Sequence, residues 1–458
     1  MSYHENMDRA LADPKLQLAV YAATSRMAEG RRMAVGTLPD YQELRQYAHD
    51  VKRHTLDHLD FYLEELERNV LAHGGKVIWA TDASEACEFV RELARAQGAK
   101  VIVKSKSMTT EEIHLNDVIE KDGVEIVETD LGEYIIQLAG ETPFHIIAPA
   151  LHKTREDVAD IFESHLHVTR ETDPEKLTAI ARGVLRGKFL SAGIGITGAN
   201  FLVADSGAVV IVENEGNARL SSSAPRVHVA IAGIEKVIPR AQDLAVFLKL
   251  LARSATGQAL SVYTSFLSGS ARTGEPDGPD QFYLVLLDNG RSRILADAEK
   301  RESLYCIRCG ACLNHCPVYR KIGGYSYPWV YSGPIGKILT PQFRNLHEDS
   351  WLPFASSLCG ACAEVCPVKI DIPGILLKLR RQIVQTAQNE GGWLEKLAFW
   401  IFAWMMRHPL VYERLAGFRG LAGKIRIGPL KAWTSQRELP EFPKRSFREL
   451  WRRRNAGL

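Results

Sequence analysis

Between residues 306 and 317 the chain reads CIRCGACLNHCP, and between residues 356 and 367 it reads SSLCGACAEVCP. In the first stretch Cys306, Cys309, Cys312 and Cys316 precede Pro317. Cysteines spaced in this way and ending in Cys-Pro are the ligand run of bacterial ferredoxins. A turning loop sets three thiolates on three corners of one iron–sulfur cubane, and the bend at Cys-Pro carries the fourth to a second cubane. The second stretch repeats the pattern with Cys359, Cys362 and Cys366, but its first position is Ser356.

The crossover rule predicts a first cluster held by Cys306, Cys309, Cys312 and Cys366. It predicts a second held by Cys316, Cys359 and Cys362. Both are expected to be [4Fe–4S]. The second has only three thiolates, so a Ser356 alkoxide or a water completes it, or it loses iron and becomes [3Fe–4S]. Alternatively Ser356 is a helix-cap residue that touches no iron. A structural zinc site would use one or two CxxC pairs without the third close cysteine and the proline.

Seven of the eight cysteines fall between Cys306 and Cys366. With no basic start and apolar core in the opening MSYHENMDRALADPKLQLAV, this clustering points to metal in a reducing, cytoplasmic setting rather than to disulfides. Cys87 reads as a small core residue of a helix. Hydrophobic residues make up 46% of the chain and charged residues 24%, and the formal net charge is +2, so bulk charge implies no nucleic-acid partner.

Working outward, four segments are expected: a helical region (1–69), an α/β domain (70–297), a mainly α-helical dicluster ferredoxin-type domain (298–385) and an aromatic, basic helical tail (386–458). In the α/β part, KVIWA, KVIVKSKS, VEIVETD, YIIQLA and FHIIAPA read as strands, with helices between the first three. That alternation predicts a largely parallel sheet. TTEEIHLNDVIEKDG reads as a helix capped by Thr109 or Thr110. GIGITG (193–198) lacks the spacing of a dinucleotide loop and is read as a turn.

The Gly/Pro/aromatic segment GGYSYPWVYSGPIGKILTP, between the two motifs, reads as a cover over the second cluster or as an electron-transfer docking surface. In the tail, LAFWIFAWMM (397–406) is about half the length that spans a bilayer. It reads as a buried or partner-binding helix. The alternative is peripheral membrane contact through Trp400 and Trp404, with the basic end KRSFRELWRRRNAGL on lipid headgroups.

The order GITGANFLVADSGAVVIVENEGNARL, then CIRCGACLNHCPVYRKIGGYSYPWVYSGPIGKILTP, then SSLCGACAEVCPVKIDIP resembles the lactate utilization protein B family. The resemblance covers nearly the whole chain, and the family shares the missing first cysteine. It implies that the α/β part is a LUD domain, similar in fold to CoA-transferases and sugar-phosphate isomerases. It implies two partner subunits, one cysteine-rich and one a second LUD protein, and L-lactate oxidation to pyruvate at the level of the complex.

That oxidation releases two electrons, each cluster moves one, and no hydride-accepting cofactor site is visible. The chain is therefore expected to relay electrons, with the dehydrogenation site shared with, or on, a partner. Two other readings stand beside it. VENEG loosely resembles the loop around the catalytic glutamate of CoA-transferases, which would make Glu213 a nucleophile and Arg219, Arg226 or His228 anchors for an anionic substrate. The LUD domain would otherwise be an assembly scaffold.

Overall fold

The computed structural model describes residues 3–275, 277–390, 393–416 and 445–456. The chain divides into two compact units, Met1–Ile383 and Val384–Leu458.

The first unit opens with four helices, α1 (Tyr3–Ala12), α2 (Pro14–Gly36), α3 (Tyr41–Asp57) and α4 (Leu59–Ala72). Leu59, Leu63, Leu66 and Val70 recur at helical spacing in α4 and are its buried residues. Next come β1 (Lys76–Ala80), α5 (Ala83–Ala96), β2 (Val101–Lys104), α6 (Met108–Glu112), α7 (Leu115–Glu120), β3 (Glu125–Glu128), α8 (Leu131–Leu138), α9 (Arg155–Leu166) and α10 (Pro174–Ser191). The α/β part continues with β4 (Ile194–Thr197), β5 (Phe201–Val203), β6 (Ala208–Glu213), α11 (Asn217–Ser223), β7 (Val227–Gly233), β8 (Val237–Ile238), α12 (Ala241–Ala255), β9 (Tyr263–Leu267) and β10 (Gln281–Leu287).

Six strands form a parallel sheet in the order β1-β10-β7-β4-β2-β3. Helices cover both of its faces, so β4 and β7 are buried along their whole length. The remaining four make a mixed sheet, β8-β5-β6-β9, with β5–β6 and β6–β9 antiparallel. This second sheet was not expected from the alternation of elements.

Four local readings are corrected. YIIQLA belongs to α8, whose N-terminus is capped by the Asp130 carboxylate accepting from the Glu133 N–H at 3.1 Å. FHIIAPA forms no strand. It is an irregular stretch whose buried Phe144 lends its carbonyl to the Tyr319 hydroxyl at 2.9 Å. GIGITG is mostly strand β4, and its glycines serve packing. A Cβ at Gly195 would lie 1.7 Å from the Ser221 carbonyl oxygen of α11, and one at Gly198 would lie 2.7 Å from Ser107 Oγ. The cap of α6 is Ser107, which accepts from the Thr110 N–H at 3.3 Å, not Thr109 or Thr110.

The cysteine region follows through α13 (Arg291–Ala296), α14 (Ala311–His315), α15 (Tyr319–Ile322), α16 (Gly333–Phe343), α17 (Ala361–Glu364) and α18 (Ile372–Glu390). Pro373 lies in the first turn of α18, as expected of a helix start. One apolar core runs from Val20 in α2 through the mixed sheet and α12 to Leu379 in α18, so the cysteine region has no separate interior. The segment between the motifs is part of that core. Tyr327, Tyr331, Ile335, Lys337 and Ile338 are buried, so these residues offer no docking surface, and Lys337 reaches Cys316 as a cover would.

The second unit holds α19 (Trp393–Arg407), α20 (Pro409–Ala416) and α21 (Phe447–Asn455). Leu397, Phe399, Trp400, Ile401, Phe402, Trp404 and Met406 of α19 are exposed. No described helix is long and apolar enough to cross a membrane. The rest of the tail reading, residues 417–444, lies outside the described residues.

The close approach at Gly195 sets a test of the packing. Gly195→Ala should force α11 off β4 and cost roughly 1–3 kcal/mol. Gly183→Ala, on α10, meets nothing within 4 Å and should gain roughly 0.5–1 kcal/mol. Urea midpoints of the two variants should move in opposite directions. A shift of the same sign in both would refute the packing role of Gly195.

Candidate metal centre and the cavity beside it

The two cysteine loops share a backbone. Arg308 and Leu358, fifty positions apart, both take left-handed conformations, with φ of 59° and 55°. Gly310 and Gly360 do the same, at 71° and 84°, and each opens a short helix, α14 or α17. A two-residue turn precedes each helix. In the first loop the Arg308 N–H donates to Cys306 Sγ at 3.4 Å. In the second the Leu358 N–H donates to Ser356 Oγ at 3.2 Å. Ser356 therefore occupies the place of Cys306, bonded in the same way. It caps no described helix, since Gly360 is the N-cap of α17.

Cys306, Cys309, Cys312 and Cys366 line one cavity, walled by Ile146, Ile307, Ile335, Val368, Ile370 and Ile372. Cys366 of the second motif thus lines the same cavity as three cysteines of the first. Burial and then the neighbouring thiolates Cys366 and Cys306 push the Cys309 thiol far up. Burial and then Cys306 do the same to Cys312. Burial raises Cys366 to about 12, against the Ile370 N–H, which donates to its sulfur at 3.4 Å.

The raised thiols of Cys309, Cys312 and Cys366 need a cationic centre to ionise. Backbone N–H groups already aimed at their sulfurs favour the anion once it forms. This donor set fits an iron–sulfur cluster. Among the described residues no three His, Cys, Asp or Glu side chains converge as a single metal ion requires.

Cys316, Cys359 and Cys362 form the other set. Burial and then Cys316 raise the Cys362 thiol to about 11. The Tyr319 N–H donates to Cys316 Sγ at 3.5 Å, and Lys337 Nζ lies 4.0 Å from the same sulfur. Cys359 is the exposed member of the seven. The Ala361 N–H and then the Ser357 hydroxyl lower its thiol.

Buried cations surround both sets, and most of them escaped the sequence reading. Arg31 of α2 donates to the Val365 carbonyl at 2.9 Å. Arg45 of α3 donates to the carbonyls of Cys366 at 2.8 Å and Ala363 at 3.1 Å. The N-terminal helices thus clamp the second motif. Lys337 sits inside α16 at 1% exposure. The one sequence signal was position: Arg308 stands within the first CxxC.

A second cavity, of about 400 Å³, opens beyond the C-terminal ends of β2, β3, β4 and β7. Ligands in open parallel sheets commonly bind at this edge. Lys106, Lys236 and Arg308 line it, as do Asp130, Glu213 and Glu215. Burial and then Asp130 raise Glu215 to about 7. Glu213 accepts from the Ala218 and Arg219 N–H groups, both at 2.8 Å, and so spends its carboxylate on the first turn of α11.

Its proposed helpers do not join it. Arg226 is exposed. The Arg219 guanidinium lies over the Tyr263 ring, 5.9 Å from its centroid. His228 is a core residue of β7, bonded to Thr197 Oγ1 at 2.8 Å, with burial bringing its imidazole down to about 3. No nucleophilic constellation forms around Glu213.

Comparison with known proteins agrees with this division. Family models match the LUD domain at residues 63–287, the 4Fe-4S dicluster domain at 302–370 and "Lactate utilisation protein B, C-terminal" at 378–456. Lactate utilization protein B of Bacillus velezensis is 44% identical over 99% of this chain and 97% of its own. The protein of the same name from Geobacillus kaustophilus is 45% identical over 93% and 92%. That from Shouchella clausii is 42% identical over 99% and 97%. A DUF162 family crystal structure from Deinococcus radiodurans aligns with 50% of this chain and 98% of its own at 11% identity, with a TM-score of 0.29.

The shared cavity predicts which cysteines behave alike. Cys366 lies in the second motif but lines the cavity of the first. Cys366→Ala should therefore alter the paramagnetic resonance spectrum of the reduced protein as Cys309→Ala does, and differently from Cys359→Ala. A Cys366→Ala spectrum matching that of Cys359→Ala would overturn the crossover.

Proposed function

Because the chain belongs to the lactate utilization protein B family, we propose that it is the iron–sulfur electron-transfer subunit of an assembly that oxidises L-lactate to pyruvate. The observation that carries the reading is the pair of interlocked cysteine sets, one enclosed beside a cavity and one reaching the surface at Cys359. Cys306, Cys309, Cys312 and Cys366 hold the first [4Fe–4S] cluster. Cys316, Cys359 and Cys362 hold the second, with Ser356 at its fourth corner. Such clusters are one-electron carriers.

The chain's own residues do the rest. Apolar walls keep water from the first set, and backbone N–H groups and Lys337 favour the ionised sulfurs. A cysteine-rich subunit and a second LUD protein complete the assembly. The dehydrogenation site is shared with one of them. The CoA-transferase-like alternative is not favoured, given the engagement of Glu213 with α11.

Cys309→Ala should abolish lactate-dependent bleaching of the cluster absorbance in the assembled complex while leaving the α/β part folded. Full lactate oxidation with that variant would sink the relay.

The fourth corner of the second cluster has its own test. A serine hydroxyl gives up its proton far less readily than a thiol, so iron at that corner is held weakly. On exposure to air, iron per chain should fall from about eight to about seven through a three-iron form, before larger loss. Ser356→Cys should suppress the three-iron resonance, because the place it fills is bonded as Cys306 is. An unchanged three-iron signal in Ser356→Cys would put something other than residue 356 at that corner.

A further inference from the structure

The cavity at the end of the parallel sheet is lined by three cations and three carboxylates, and two of the cations carry buried donors without an acceptor. Lys106 Nζ is buried and has no hydrogen-bond partner, and its nearest carboxylate, Glu133, stands 3.7 Å away. Arg308 is 7% exposed, and its Nη1 is likewise buried and unpartnered. Its Nη2 makes only a long contact, 3.4 Å, to Glu235. Lys236, 8% exposed, lines the same space. A buried donor without an acceptor costs about 1–3 kcal/mol, and more when charged. Two such cations at one cavity point to an anion that satisfies both.

The available donors say what kind of anion. Phosphate sites are usually built from backbone N–H groups at helix N-termini and glycine loops. Three of the helix N-terminal groups at this cavity are already engaged. The Ala218 and Arg219 N–H groups of α11 bond to Glu213, and the Thr110 N–H of α6 bonds to Ser107. The side chains add a guanidinium fork and an ammonium, which suit a carboxylate or a phosphate. Ile146, Ile147, Ile211 and Leu251 offer apolar wall for a carbon chain. The volume, about 400 Å³, lies in the range of small-molecule sites.

Position adds the second half of the argument. Arg308 and Ile146 line this cavity and also the one enclosed by Cys306, Cys309, Cys312 and Cys366. The two cavities have those side chains as common wall. We infer that the α/β domain binds a small organic carboxylate here, paired with Arg308 and Lys106, one side chain away from the first cysteine set. The inference deepens the electron-relay reading and rests on it only for the significance of the neighbour.

Equilibrium binding to the full-length, cluster-loaded protein tests it, with L-lactate, pyruvate, succinate and inorganic phosphate as probes. At least one carboxylate should bind saturably. Lys106→Met should weaken that binding at least tenfold with iron content unchanged, and Lys236→Met is the second variant should the first not fold. The same carboxylate should shift the paramagnetic resonance of the reduced first cluster. Binding of succinate alone would uphold the site and count against lactate as the compound handled. No saturable carboxylate binding, equal competition by phosphate, or indifference to the lysine substitutions would overturn the inference. None of these outcomes depends on electron flow, so failure of the relay would be seen separately.

Discussion

Arg291 is the side chain on which the α/β part and the cysteine region meet. It is 1% exposed. Its guanidinium grips Glu112 with two bonds, at 2.8 and 2.9 Å, and also bonds to Glu235. Glu112 in turn accepts from the Tyr331 hydroxyl at 2.6 Å, and Glu235 faces Arg308 at 3.4 Å. Burial would raise the Glu235 carboxyl, but Arg291 and then Arg308 outweigh it and hold it at about 2. Removing one member of such a set leaves a bare charge in the interior and costs about 3–5 kcal/mol. The network therefore fixes where Arg308, and with it the first cysteine loop, sits against the sheet.

Given that anchor, the repeat in the cysteine region has a structural meaning beyond ligand count. Both loops bend through the same pair of left-handed residues, and both turn a backbone N–H onto the side chain two positions before it. Only the atom that accepts differs, sulfur at Cys306 and oxygen at Ser356. The turn is kept because it positions the next three cysteines. A serine preserves that turn as well as a cysteine does, so the thiolate can be absent without disturbing Cys359 or Cys362.

Legibility in the sequence followed the range of each interaction. Cysteine spacing is local, so the dicluster motif was readable. Alternation of strand and helix gave the parallel sheet for the same reason. YIIQLA failed because a short apolar run has no period long enough to separate strand from buried helix. GIGITG failed because its glycines answer to Ser221 and Ser107, residues distant in sequence. The Arg291 network joins partners 179 and 56 positions apart, and Arg31 reaches a carbonyl 334 positions away. No window of sequence contains such pairs. The clamp by α2 and α3 and the shared wall at Arg308 were beyond reach for that reason.

The two cysteine sets differ in ways that fit a direction of flow. The first lies among isoleucines and shares Arg308 and Ile146 with the large cavity. The second carries Lys337 on one side, exposed Cys359 on the other, and an oxygen in place of its fourth sulfur. Sulfurs that stay buried are shielded from water and oxygen, and the set that faces solvent is open to both. A carrier that exchanges electrons with another protein must approach a surface, and Cys359 is the exposed cysteine of the seven, with Cys306 and Cys312 half-buried. The exposure that would leave iron at the second set vulnerable is the same exposure that would give a partner access.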